Sequence, residues 1–476
     1  MSTAPRTTLA TALAAAWLSL AAGCSLAPTY HRPDAATPTA YQEPLPDGWK
    51  LAEPADLQAK GDWWQAFRDP TLNALQARVV LNNQNLQAAV ARYDQARAAA
   101  GLARAATLPV VNLGASATRS RTSQNATRHL AGSPLSDDFN LGLNLSYEVD
   151  LWGRVRNAVQ AGDARLQASA ADLAALQLST RAELASDYFA LRGLERTQLV
   201  LEQTLAAYQQ TYELAQRRFA GGLVTELDVN QARVQLENTR TALTDVQLKA
   251  RQLTHAIALL CGEPASGFAV PAGTLPTALP GVPVAPPSIL LERRPDVAAA
   301  ERRVQAANAD IGVARAGYFP TFSIGAAAGF DSAHTGSWFD APSRFWSLGP
   351  QALLNLVDGG RVARNIEASQ GALDEAAARY RQTVLQANQE AEDSLAAIRL
   401  LAIESTSQQA AEQAAQRAFE QARRQYEGGL VTYLPVASAQ AALAQAQQAG
   451  INLQVAQLAA RVQLIKALGG GWQAWK

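Results

Sequence analysis

Apolar residues recur along this chain with two different periods, and the changes of period divide it into elements. From Asp69-Pro70, a helix-start signal, the spacing is helical to about Ala106, with Asn82-Asn83 as the point of division into a short and a longer helix. At Pro109 the period falls to two. Val111, Leu113, Ala115 and Ala117 then alternate with Asn112, Gly114, Ser116 and Thr118. After a polar stretch with a loop signal at Gly132-Ser133-Pro134, a cleaner alternation sets Phe139, Leu141, Leu143, Leu145, Tyr147 and Val149 against Asn140, Gly142, Asn144, Ser146 and Glu148. Strands are expected at about 109–120 and 138–150. Each is close to the roughly 9–11 residues that carry a tilted strand across a bilayer. A soluble antiparallel sheet covered on one face would show the same alternation, so the period alone leaves both open.

Beyond the strands the period returns to helical and stays so for about 65 residues, from Arg154 to Phe219, which is roughly 100 Å of helix. Leu194, Leu201, Leu205, Tyr208, Tyr212, Ala215 and Phe219 fall at steps of three, four and seven, the seam of a coiled coil. The sequence then reads Gly221-Gly222-Leu223-Val224-Thr225, and a return helix of about 35 residues runs from 226 to Cys261. Paired glycines supply the left-handed conformation that ends a helix, so this stretch reads as a tip between two antiparallel helices.

The whole pattern is written twice. Gly428-Gly429-Leu430-Val431-Thr432 repeats the tip, with Gly429 standing 207 positions after Gly222, and Gly360-Arg361-Val362 repeats Gly153-Arg154-Val155 at the same offset. Ala314-Arg315-Ala316 with Pro320 repeats Ala103-Arg104-Ala105 with Pro109 at an offset of 211, which implies a loop of different length between the strands. The second copy predicts strands at about 320–331 and 344–357, a long helix at 362–427 and a return helix at 433–468. The expected organisation is a first repeat over 69–287 and a second over 288–470.

Composition narrows the function classes. Formal net charge is zero, so no broad basic surface for nucleic acid is indicated. Cys24 and Cys261 are the only cysteines, and His31, His129, His255 and His334 show no ligand spacing, so neither a disulfide framework nor a metal site is expected. The N-terminus carries Arg6, an apolar run from Leu9 to Leu20, and Ala21-Ala22-Gly23-Cys24. That run is too short to span a bilayer and has the layout of a secretory signal over residues 1–23. The site around Cys24 resembles a bacterial lipoprotein cleavage site, with Ala21 where leucine is usual, and Ser25 in the second position favours the outer membrane by that resemblance; cleavage by ordinary signal peptidase after Ala-x-Ala-like residues, with Cys24 an incidental thiol, is the alternative. Residues 24–68 are proline-rich and aperiodic, an extended arm.

Four candidate transmembrane strands per chain cannot close a barrel. An open edge in hydrocarbon leaves backbone groups unpaired at several kcal/mol each, so the strands must pair with those of other copies. Two copies give eight strands and a filled interior; three give twelve and a lumen, which the polar face with Asn140, Asn144, Ser146 and Glu148 favours.

With these features assembled, the chain resembles the TolC-type outer membrane efflux proteins, specifically their NodT-type lipoprotein branch. The resemblance is carried by Cys24-Ser25-Leu26-Ala27-Pro28 with Tyr30 and Arg32-Pro33, by Asp150-Leu151-Trp152-Gly153-Arg154, by Leu290-Leu291-Glu292-Arg293-Arg294-Pro295-Asp296 before Ala300-Glu301, and by the two Gly-Gly-Leu-Val-Thr tips. It implies a mixed membrane α/β-barrel protein: a homotrimer with a twelve-stranded outer membrane β-barrel, four strands per chain, continued by a periplasmic α-helical coiled-coil barrel. It implies Cys24 as the lipidated residue and outer membrane lipid as its surroundings. It also implies docking through Gly221–Thr225 and Gly428–Thr432 onto a periplasmic membrane-fusion adaptor fed by an inner-membrane pump, an RND-type transporter above others. No cofactor is implied.

No nucleophile triad, phosphate loop or metal signature appears, so the expected chemistry is gating rather than catalysis. Asp228 matches a family aspartate that helps hold the closed tip. An ordinary helix N-terminal aspartate stabilised by the macrodipole is the alternative. In the second tip Pro435 and Ser438 stand where some relatives have acidic residues, so Tyr433 and Leu434 are the candidates for an apolar or aromatic collar. Glu226, Arg217, Arg218, Arg423 and Arg424 are candidates for salt links between helices. The leading reading is a passive exit duct for small toxic compounds or drugs. A type I secretion exit channel shares the architecture, and a non-channel coiled-coil periplasmic lipoprotein with a small soluble sheet is the reading from another class.

Overall fold

A computed structural model describes residues 25–36, 38, 40–43, 62–121, 123, 135–276, 279 and 294–470. The signal segment, Cys24, the 132–134 loop signal and the Leu290–Arg293 part of the acidic-basic motif lie outside the described residues.

A single 3-10 turn at Trp63–Phe67 leads into α1 (Pro70–Asn82) and α2 (Gln84–Ala105). Asp69 fixes the start of α1 by accepting the N–H groups of Thr71 at 2.9 Å and Leu72 at 3.0 Å. Pro70 occupies the first helical position, where no donor is needed. Asn83 is the division point. Its amide donates to the carbonyl of Leu260 at 2.8 Å while its oxygen accepts the Leu86 N–H at 3.0 Å, so it caps α2 and ties the break to the return helix.

The period-two segments form one antiparallel sheet of β1 (Val110–Arg121), β2 (Leu135–Val149), β3 (Thr321–Ser332) and β4 (Arg344–Leu353), in that order. The register carries the apolar face straight across the sheet. Leu113 pairs with Leu143, Leu143 with Ala328, and Ala328 with Trp346. On the opposite face Gly114, Gly142 and Gly329 line up with Phe345. A Cβ on Gly142 would stand 3.1 Å from Cζ of Phe345, so the ring reaches over β3 into the groove that the glycines leave. β2 begins at Leu135, earlier than expected, because Asp137 and Ser136 pair with Arg119 and Ser120. β4 ends at Leu353 rather than Val357. Leu353 pairs with Thr321, the first residue of β3 after Pro320, and proline has no N–H to extend the ladder.

Five more helices complete the chain: α3 (Arg154–Ala220), α4 (Glu226–Leu260), α5 (Pro295–Ala316), α6 (Arg361–Glu427) and α7 (Tyr433–Ala467). The long helices α3 and α6 both have 67 residues and the return helices α4 and α7 both have 35. No described helix is long and apolar enough to cross a membrane.

The chain divides into two compact units. One takes Met1–Pro33, Tyr93–Ser169 and Ala300–Tyr380; the other takes Asp34–Arg92, Ala170–Ala299 and Arg381–Lys476. Each draws on both sequence repeats, so the duplication is not a division in space. The first unit holds the sheet, its strand-to-helix junctions and the start of the N-terminal arm. There Ser25 donates to the side-chain oxygen of Asn157 at 3.0 Å, Asn308 donates to the Pro28 carbonyl at 2.8 Å, and Tyr30 and Arg32 both reach Glu301. Gly312 permits this approach, since a Cβ there would lie 2.8 Å from the Ala27 nitrogen. The second unit holds the main core, where Trp63, Trp64, Phe67, Leu72 and Leu75 pack with Tyr188, Phe189, Leu395 and Leu458. Each such side chain, fully buried, contributes about 1.5–3 kcal/mol.

Candidate functional site: the paired helix tips

The two tips have the same backbone. In the first, Gly222 adopts φ 71°, its N–H reaches the Phe219 carbonyl at 2.9 Å, and the Leu223 N–H reaches the Arg218 carbonyl at 2.9 Å. In the second, Gly429 adopts φ 74°, and the N–H groups of Gly429 and Leu430 reach the carbonyls of Tyr426 at 3.0 Å and Gln425 at 2.9 Å. Both are Schellman turns, which satisfy the last carbonyls of α3 and α6 and require a residue that tolerates positive φ. The turn leaves Leu223 and Leu430 projecting, 77% and 80% exposed, while Val224 and Val431 tuck halfway in.

The starts of the return helices differ. At α4, the Asp228 carboxylate accepts the Thr225 N–H at 3.0 Å and the Thr225 hydroxyl at 2.8 Å, so it is engaged in capping the helix. At α7 the equivalent third position is Pro435, and Thr432 makes no side-chain cap bond. Proline is tolerated there because the first-turn N–H groups of a helix have no intrahelical partner.

Behind the turns, the two hairpins of one chain are joined by a small core. Ala215 of α3 and Ala232 of α4 pack with Ala422 and Tyr426 of α6 and with Tyr433, Val436 and Ala437 of α7. Tyr426 and Tyr433 have ring centroids 5.8 Å apart, and the Arg218 guanidinium lies 4.5 Å from the Tyr426 centroid. Such a cation–π contact contributes about 0.5–2 kcal/mol. Tyr433 is fully buried, and its hydroxyl has no hydrogen-bond partner among the described residues. Burial, followed by the neighbouring Tyr208 and Tyr426, raises its phenolic pKa.

This geometry redistributes the expected roles. Tyr433 is spent on joining the hairpins and its ring cannot line a passage in this conformation; of the expected collar pair, Leu434 alone is exposed. Arg218 stacks on a ring instead of forming a salt link. Arg423 lies 3.7 Å from Glu427 on its own helix, and Arg217, Arg424 and Glu226 form no ion pair among the described residues. The coiled-coil seam holds at Leu201, Tyr208 and Ala215, which are buried at steps of seven, but Phe219 at the helix end is exposed. Pairing between Arg218 and Tyr426 was not legible from sequence, since the arginine pairs had suggested carboxylate partners. The signal available was the aromatic two positions before each glycine pair.

A second constellation sits where strands meet helices in the sheet-bearing unit. Trp152 stacks on Phe319 at 4.6 Å and donates to the Pro320 carbonyl at 2.9 Å. Arg154 grips Glu148 with two hydrogen bonds of 2.7 and 2.5 Å, and Gly153 takes φ 75° to make the corner. Aromatic residues at strand ends, with Tyr318 and Phe319 exposed, are what a barrel presents at a membrane–water boundary. Among the described residues no group of three His, Cys, Asp or Glu side chains could hold a metal ion.

The comparisons agree with this architecture. A family model described as outer membrane efflux protein matches residues 75–263 and 287–470. The toluene efflux pump outer membrane protein TtgC of Pseudomonas putida is 34% identical over 454 residues, covering 94% of this chain and 93% of that one. The pyoverdine export outer membrane protein OpmQ of Pseudomonas aeruginosa is 34% identical over 438 residues, covering 90% and 92%. The solved outer-membrane channel OprN superposes with a TM-score of 0.87 at 30% identity, over 94% of this chain and 100% of that one. With its four-stranded membrane-type sheet, its two 67-residue helices and its twin tips, the chain belongs to the outer membrane efflux protein family.

Proposed function

We propose that this efflux channel works as a trimer: three copies contribute four strands each to a twelve-stranded barrel, and their long helices continue the bore through the periplasm. The observation that carries the reading is the sheet itself. Among the described residues of the chain, β1 and β4 each have one edge without a strand partner, and the apolar face is open at Leu113, Trp346 and Leu348. Twelve strands remove every edge and leave a lumen lined by the asparagine and serine face.

The duct has no energy source of its own, and cargo is handed to it by an inner-membrane pump, RND-type in this reading, through a periplasmic adaptor. Small toxic compounds or drugs are the cargo class. Relatives of equal identity carry names as different as toluene and pyoverdine, which supports selection by the pump rather than by the channel. Leu223 and Leu430, exposed on rigid turns, are the docking knobs for the adaptor. The gate lies at the same end, with Asp228, Glu226 and Leu434 near it and Tyr433 supporting it from behind. Cys24 is the lipidated residue: Ser25 is held by Asn157 in the first turn of α3, the helix that follows the Trp152 corner, which suits an acyl chain entering the membrane there.

Replacing Gly222 and Gly429 with valine tests the docking role. Both variants should insert in the outer membrane as trimers yet lose export in a susceptibility assay, because a β-branched residue at φ near +70° breaks the turn. Unchanged export in both would exclude the tips as docking elements.

A further inference from the structure

Helices α3 and α7 touch closely at Gly193, where an added Cβ would stand 2.4 Å from Cγ2 of Val455. α3 meets α6 and α7 again in the tip core around Ala215. Between these points the helices part, leaving a slot of about 540 Å³ walled by α3, α6 and α7 and by Leu279 of the linker. Its apolar lining includes Ile451 and Leu453, both buried. Three wall glutamines are already committed to main-chain carbonyls: Gln408 to Ala446 at 2.7 Å, Gln454 to Pro276 at 2.7 Å and Gln457 to Leu401 at 2.9 Å. These bonds make the walls firm.

Arg196, Glu412 and Gln447 behave differently. All three line the slot, and none makes a side-chain hydrogen bond or ion pair with a described residue. One turn earlier Arg192 finds Glu195, so arginines on this helix do pair when a carboxylate is in reach. Gly450 keeps the space beside the free carboxylate open: a Cβ there would lie 3.4 Å from Oε2 of Glu412. A guanidinium and a carboxylate that share one cleft without meeting suit a ligand carrying both opposite charges. The volume falls within the roughly 300–1,000 Å³ of small-ligand clefts. Among the described residues no aromatic side chain lines it, so a sugar ring or planar compound finds nothing there to stack on. The free amide of Gln447 and the apolar lining match peptide groups and small side chains.

We propose that this slot binds a short peptide bearing a free ammonium and a free carboxylate, the ammonium on Glu412 and the carboxylate on Arg196. Two periplasmic sources carry that chemistry: the peptide stems of the cell wall and free oligopeptides. Arg196 precedes the end of α3 by 24 residues, about 36 Å of helix, so the slot is separate from the tips.

The test is a calorimetric titration of the purified, full-length protein in detergent with the soluble stem tetrapeptide L-Ala-γ-D-Glu-meso-diaminopimelyl-D-Ala, and with tetra-alanine. Binding should weaken about tenfold or more in Arg196→Gln and in Glu412→Gln, the loss expected for one charge-assisted hydrogen bond. It should weaken likewise for tetra-alanine acetylated and amidated at its ends. Co-sedimentation with isolated cell-wall sacculi that the free stem peptide competes away assigns the wall as source; binding of free tetra-alanine without co-sedimentation assigns soluble peptides. No binding of either peptide by the wild type at millimolar concentration, or equal binding by the charge-neutral variants, overturns the proposal. Both substitutions keep side-chain length at half-exposed or exposed helix positions, and circular dichroism of the variants checks that the helices persist.

Discussion

At the scale of single residues, the informative positions are charges taken partly out of water. Arg294 is buried, and its guanidinium is matched by both oxygens of Asp296 at 3.0 and 2.7 Å, by Glu390 at 2.6 Å and by the Ala467 carbonyl at 3.2 Å. A buried cation persists only with such a set, so the Arg-Pro-Asp run is a brace between the start of α5, α6 and the end of α7. Asp187 is the opposite case. Burial, and then Glu183 one turn before it, push its carboxyl up to about 6. A raised folded-state pKa favours the folded protein fully below the unfolded value of about 3.9, and the benefit is lost as pH rises through 6. Asp187→Asn should therefore stabilise the protein at pH 7–8 by about 1 kcal/mol, a figure reduced for solvent screening. The gain should vanish below pH 4, as read from denaturation midpoints across that range.

At the scale of elements, helix endings are what the sequence spells most clearly. α3, α4, α6 and α7 all stop on a left-handed glycine, Gly222, Gly262, Gly429 and Gly469, and each stop is closed by a six-residue backbone bond. At Gly262 the constraint is doubled, because a Cβ would stand 2.1 Å from the Asn82 carbonyl oxygen. What joins one hairpin to the other is not spelled in this way. Tyr433 shows the cost, since its hydroxyl is buried without a partner among the described residues. Tyr433→Phe should leave tip stability unchanged or raise it by about 1 kcal/mol, while Tyr433→Ala should lower it by about 3–5 kcal/mol. Hydrogen exchange at the first turns of α7 is the measurement that separates them.

At the scale of the whole molecule, the sheet decides the outcome. Its apolar residues form continuous rows over four strands, and a lipid-facing row admits no charge at mid-height. Leu113, 69% exposed and the fourth of the twelve residues of β1, is the test position. Leu113→Arg should cost about 1–3 kcal/mol per chain, between the interface and midplane values for a lipid-facing arginine, and deplete the heat-resistant trimer on gels. An outer-face arginine on a soluble sheet would change little. The efflux relationship and the fold point to a channel, and this substitution asks whether the sheet meets lipid in the way the trimer requires.

The sequence by itself determined the elements. Periods of two and 3.6, proline stops, glycine tips and a repeat at 207 positions are local signals, each tied to a backbone preference of a few residues. They placed the strands and helices within a few residues, except at the end of β4, where a neighbour's proline intervened. They also carried the resemblance through which the efflux family was legible. Tertiary structure alone decided which side chains meet. That Tyr433 turns inward, that Arg218 rests on Tyr426 and that Arg196 and Glu412 share a slot unpaired all depend on residues brought together from distant positions. Pairings of that kind leave no period in the chain, because they are fixed by how packed helices approach and not by the conformational preference of any short segment.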